Sequence, residues 1–148
     1  MQRLYKNHRY QQGVKINDKF VAFSDITSTD DGKTWLSLQM KLCKPLKSED
    51  DVNKFTDWIT NIYSNLAMVN YPYPTKFLAP LPAYPVRVFC KEFSQRNLNG
   101  KPLLEALSKA LSIYTNFTGK AICVNYNQSS ANLDENAWNY QVKNCFST

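Results

Sequence analysis

The sequence is short of the residues on which most site chemistry depends. Its 148 residues include a single histidine, His8. There is no CxxC pair, so a zinc centre has poor support. There is no GxSxG elbow, phosphate-binding loop, dinucleotide fingerprint or HExxH. No catalytic residue, metal ligand or cofactor can be assigned, and His8 has no partner that would make it part of a triad. No apolar run approaches the ~18 residues of a membrane span. The first residues, Met1 to Arg9, lack the apolar stretch of a signal peptide. The expectation is a cytosolic chain, or one whose true N-terminus is missing.

What is present fits one compact domain. Hydrophobic residues make up 43% and charged residues 20%, ordinary values for a globular fold. The net charge is +6. A nucleic-acid binder would gather its cations on one face. Here they are spread along the chain, with a mild excess at Arg3, Lys6, Arg9, Lys15 and Lys19. No RNA-binding aromatic signature accompanies them. Solvated surface charge is the simpler reading.

Apolar periodicity points to helices. Residues 13–23, "GVKINDKFVAF", read as strand or helix, with helix favoured by Ile16, Phe20 and Phe23. A helix over 30–42 follows, capped by Ser28 or Thr29, with Asp30 and Asp31 at the positive end of its dipole. Trp35, Leu38 and Leu42 would share its inner face, and Pro45 would stop it. The clearest element is 49–69. Ser48 and Asp51 form a capping-box pattern, and Val52, Phe55, Ile59, Ile62, Leu66 and Val69 repeat at three and four. Further helices are expected over 85–93, with Pro85 at its first position, and 102–114, with Leu103, Leu107, Ala110, Leu111 and Tyr114 inward. Gly119 marks the exit, and 115–148 is polar and turn-rich.

After the helix over 49–69, and running into that over 85–93, comes "NYPYPTKFLAPLPAYPVRVFC", Asn70 to Cys90, with five of the seven prolines. Proline removes a backbone donor and narrows the unfolded ensemble, so such a segment is cheap to dock on a helix layer. Tyr71, Tyr73, Phe77 and Tyr84 are the expected anchors. An exposed polyproline ligand is the alternative, but it leaves those rings without a role and lacks a strict PxxP with a basic flank.

Four cysteines, Cys43, Cys90, Cys123 and Cys145, permit disulfides or buried thiols; the count alone does not decide. Two glycosylation sequons occur, at Asn116 and Asn127. With 15 Asn and 20 Ser or Thr, chance placement gives about two.

A resemblance goes further. "LAMVNYPYPTKFLAPLPAYPVRVFC", Leu66 to Cys90, resembles the signature of the lysosomal Pro-X carboxypeptidase and dipeptidyl peptidase II family of serine exopeptidases. "LCKPL" (Leu42 to Leu46), "IYTNFTGKAIC" (Ile113 to Cys123) and "AWNYQ" (Ala137 to Gln141) resemble the family's Cys-x-Pro-Leu, its glycosylation site with following cysteine, and its Trp-x-Tyr-Gln. The likeness runs from about Thr29 to Gln141.

The resemblance implies a mainly helical cap domain, inserted in an α/β-hydrolase core that this chain largely lacks. Residues 1–28 would be a poorly matched lead, 29–114 the cap and 115–148 the return toward the core. The Ser-Asp-His triad would then lie outside the chain, leaving it inactive alone. Peptides with proline near a terminus would be substrates of the full enzyme, in a lysosomal or secreted setting, with the missing hydrolase core as partner and a homodimer possible. No membrane or nucleic-acid partner is implied. The resemblance pairs Cys43 with Cys123 and leaves Cys90 and Cys145 as free thiols or an opportunistic pair. Trp138 and Asn139 become substrate-binding candidates. The dipeptidyl peptidase branch has aspartate at the position of Asn139, able to hold the substrate's free ammonium. The chain departs from the family at "YQVKNCFST", where Cys145 is shifted by two, and near Gln12-Gly13, where the partner of Cys90 is missing. The competing class is a stand-alone, non-catalytic binding protein derived from the cap. A GxSxG upstream in the flanking gene sequence, with Asp and His downstream, would favour the enzyme.

Overall fold

A computed structural model describes residues 22–94 and 98–127. Its helices, in order, are α1 (22–27), α2 (Asp30–Gln39), α3 (Glu49–Met68), α4 (Pro85–Lys91) and α5 (Gly100–Thr115). Among the described residues there is no strand, only the isolated bridges Leu42–Val124 and Thr75–Leu81. The architecture is mainly helical, as the periodicity implies. Of the helix expected over 13–23, only residues 22 and 23 fall on described residues, and both lie in α1.

Thr29 supplies the cap of α2, its Oγ1 accepting from Gly32 N–H at 3.0 Å. Glycine is required there: a Cβ on Gly32 would collide with the Ile26 carbonyl at the end of α1. The helix stops at Gln39, well before Pro45. Lys41 takes a left-handed φ of 52°. Its N–H donates to Leu38 O and Leu42 N–H donates to Ser37 O, at 3.1 and 2.9 Å. This pair is a Schellman closure, made here without glycine. The inner face is the expected one at Trp35 and Leu42, which pack partly buried against the core, but not at Leu38. Leu36 and Met40 are buried, whereas Leu38 is 74% exposed.

The capping box of α3 is complete. Ser48 Oγ accepts from Asp51 N–H, and Asp51 Oδ2 accepts from Ser48 N–H, each at 3.1 Å. Phe55, Ile59, Ile62 and Leu66 are buried along one stripe, with Val69 after them. Phe55 is fully enclosed, stacked between Phe23 and Trp58 and met edge-on by Tyr126. α5 packs on α2, α3 and α4, burying Leu103, Leu104, Ala106, Ala110 and Leu111. Tyr114, half-buried, accepts a hydrogen bond from Asn65 Nδ2 at 3.0 Å, which satisfies a buried amide.

The proline segment corrects a further expectation. Tyr71, Tyr73, Phe77 and Tyr84 are 41, 58, 75 and 41% exposed. They are not the anchors. Leu81 and Pro85 are buried and Leu78 partly so, and these hold the segment to the core. The rings turn outward because the backbone is fixed from inside. Thr75 and Leu81 exchange hydrogen bonds at 3.1 and 2.9 Å, and Tyr84 N–H donates to Tyr71 O at 2.8 Å. Exposure of the rings favours a ligand role over packing, but a backbone tied at these points is not a free polyproline helix.

Candidate functional site

The chain leaves α2 and returns from α5 at one place. Cys43 N–H donates to Val124 O at 2.9 Å, and Val124 N–H donates to Lys41 O at 2.8 Å, forming a short parallel bridge. Cys43 and Cys123 are disulfide-bonded there, with Cα atoms 5.0 Å apart across 80 residues of sequence. Beside the bond lies a cavity of about 270 Å³, lined among others by Met40, Trp58, Ser108, Leu111 and Asn116. Ser108 is oriented by its hydrogen bond to Gln39 O at 2.8 Å. Its lining mixes apolar side chains with hydroxyls, amides and the lysines Lys41 and Lys109. Such a lining can hold a small polar-apolar group, but it has no acid–base pair for bond cleavage. Among the described residues, no cluster of His, Cys, Asp and Glu could hold a metal.

The model of the family named serine carboxypeptidase S28 matches residues 1–146. The chain belongs to the serine carboxypeptidase S28 family. Proteins named lysosomal Pro-X carboxypeptidase are 37% identical in Bos taurus and 36% in Homo sapiens, each over 128 residues. Those matches cover 86% of this chain and 26% of each relative. A Caenorhabditis elegans protein named prolyl carboxy peptidase like protein 5 is 36% identical over 106 residues, 70% of this chain and 21% of that protein. The chain thus spans about a quarter of the length of the curated relatives it matches.

Several of the positions that the S28 resemblance singled out can be placed in this fold. The Cys43–Cys123 bond is formed as expected. Cys90 is not a free thiol: it is disulfide-bonded, to a partner outside the described residues. Trp138 and Asn139 also lie outside the described residues. Asn116 caps the C-terminus of α5, its Oδ1 accepting from Ala121 N–H at 2.8 Å, with Phe117 and Thr118 exposed beside it. The sequon is therefore presented at a helix end on the surface. Asn127 is exposed at the last described position. Among the described residues, no helix is long and apolar enough to cross a membrane.

Sequence reading missed Tyr126. The return segment carries it back onto Phe55, where it is 3% exposed. Its hydroxyl has no hydrogen-bond partner among the described residues. Burial raises its pKa, and the charge of Asp51 adds to that. Nothing in its local pattern, "CVNYNQ", signals a core residue.

Asp51 gathers more than a cap. Lys44 Nζ donates to its Oδ1 at 3.0 Å, and the backbone N–H groups of Lys47 and Ser48 donate to Oδ2. The Lys44 hydrogen bond first, then those from Ser48 and Lys47, hold the Asp51 carboxyl well below the usual carboxylate range. A group whose pKa is depressed by folding stabilises the folded state fully above its unfolded value, about 3.9, and loses that effect as pH falls below it. Urea midpoints should therefore show no loss from this group between about pH 7 and pH 5, and a decline below about pH 4. Asp51→Asn should lower the plateau and flatten the decline. A variant with the wild-type acid slope would show that Asp51 does not set it.

Proposed function

We propose that this chain is the cap portion of a proline-specific serine exopeptidase of the S28 family, of carboxypeptidase or dipeptidyl peptidase type. The observation that carries the reading is the helical unit closed by Cys43–Cys123, in a chain matching only about a quarter of its relatives. In the complete enzyme this unit shapes and gates a pocket for peptides with proline near a terminus. Residues 29–114 form the cap, 115–148 the return to an α/β-hydrolase core, and 1–28 the lead. The core supplies the Ser-Asp-His triad. Glycans on Asn116 and Asn127 and a lysosomal or secreted setting fit this reading, as do the names of the relatives. The enzyme requires no cofactor.

A direct test uses the 148-residue chain and a hybrid in which it replaces the matching region of a lysosomal Pro-X carboxypeptidase. The chain alone should release no residue from a Pro-X peptide, and the hybrid should. Hydrolysis by the chain alone, blocked by a serine-directed covalent inhibitor, would overturn the missing triad. A folded but inactive hybrid would overturn the cap.

Trp138 and Asn139 approach the substrate in this reading. Asn139 keeps the size of aspartate and one acceptor but lacks the charge. A charge-assisted hydrogen bond is roughly twice as strong as a neutral one. In the hybrid, Asn139→Asp should raise kcat/KM on free-amine dipeptidyl substrates by up to about tenfold, equivalent to ~1.4 kcal/mol. Substrates with a blocked N-terminus should be unaffected. Equal changes on both would show that residue 139 does not read the amine.

A further inference from the structure

The aromatic rings of the proline segment are exposed in a manner that loops seldom sustain. Tyr71 and Tyr73 stack with interplanar angle 3° and centroids 5.5 Å apart. Tyr84 holds a left-handed φ of 50°, a costly conformation for an aromatic residue, at the N-cap of α4. Phe77 and Met68 are exposed as well. The backbone beneath is fixed by the Thr75–Leu81 bridge, by the Tyr84 to Tyr71 bond, and by Val86 N–H donating to Asn70 Oδ1 at 3.3 Å. A rigid surface of Tyr, Phe, Met and Arg has the composition of a protein interface core, and its order removes much of the entropic cost of docking.

Charge selects the occupant. Residues 70–91 include Lys76, Arg87 and Lys91 and no carboxylate. The Arg87 guanidinium rests over the Tyr84 ring, 4.8 Å from its centroid, and is not ion-paired among the described residues. A second copy meeting this face about a two-fold axis would set cations against cations. The complementary surface is apolar at its centre and acidic at its rim. Some three-quarters of each curated relative lies outside the matched region.

We infer that the face formed by Tyr71, Tyr73, Phe77, Tyr84 and Arg87 docks on an acid-rimmed apolar surface of the hydrolase part of the complete enzyme. This rests on the cap reading, and it names the face by which the cap is seated.

Hydroxyl-radical labelling of the 148-residue chain and of the hybrid tests it. The four rings should label strongly in the chain alone and several-fold less in the hybrid, while exposed Phe117 labels alike in both. Arg87→Glu in the hybrid should restore much of the labelling, and Arg87→Lys should not. Equal labelling of the rings in both proteins overturns the inference; in a hybrid that retains peptidase activity, it does so while leaving the cap reading intact. Protection with loss of activity keeps the docking face and removes the cap reading instead. Unchanged protection in Arg87→Glu overturns the acidic rim. The chain alone should also sediment as a monomer at every concentration. Association that Tyr73→Ser abolishes would assign the face to a second copy and overturn the inference, whether or not the hybrid folds.

Discussion

Replacing both bridging cysteines, as Cys43→Ser with Cys123→Ser, should cost about 4.5 kcal/mol of unfolding free energy. The closed segment spans 80 residues, and in the chain-entropy view a long loop gains most from closure. Two features add to this. The bond joins segments already paired through Leu42 and Val124, so it closes without distorting them. It also holds the return segment that brings Tyr126 onto Phe55. The double variant is preferred to added reductant, which would also open the bond to Cys90. Urea unfolding of the two proteins at neutral pH measures the difference. A loss below about 1 kcal/mol would mean that the unfolded chain gains little freedom from cutting the bond.

The second large effect is expected at Phe55. It is fully buried and touches rings from three parts of the chain: Phe23 ahead of α2, Trp58 on α3 and Tyr126 in the return segment. Phe55→Ala should cost about 3–5 kcal/mol, because the cavity it leaves is walled by rings that cannot collapse into it. Phe55→Leu should recover most of this. Denaturant midpoints at constant slope give the values. A cost for Phe55→Ala below that of Leu38→Ala, at an exposed position, would show that the ring cluster does not anchor the fold.

The helices were legible in the sequence where a stripe and a cap agreed. Ser48, Asp51 and the Phe55–Ile59–Ile62–Leu66 run gave α3 nearly to the residue, and Pro85 gave the start of α4. The end of α2 was not legible. Its stop depends on a left-handed Lys41, and lysine carries no local signal for that conformation. Leu38 also offered a plausible but false inner position beside the true ones at Leu36 and Met40, while Trp35 and Leu42 do pack against the core. The proline segment failed for a different reason. Ring hydrophobicity suggested burial, but only the long-range docking of Leu81 and Pro85 decides which side of a stiff segment faces in. Of the candidate site, the cysteine pair was legible because a resemblance supplied the pairing. Tyr126 was not, because its partner Phe55 is distant in sequence.

The Schellman closure of α2 and the short bridge at Val124 bring Lys41–Cys43 and Cys123–Val124 side by side, with the bonded Cα atoms 5.0 Å apart. Seen from the chain on either side, 80 residues of protein are equivalent to a single covalent joint. The segments on either side are held together at that joint, and α2, outside the ring, packs on α5, inside it. A loop within the ring can lengthen without changing the distance between the two bonded ends. Changes of length inside the ring are thereby uncoupled from the positions of the segments that enter and leave it.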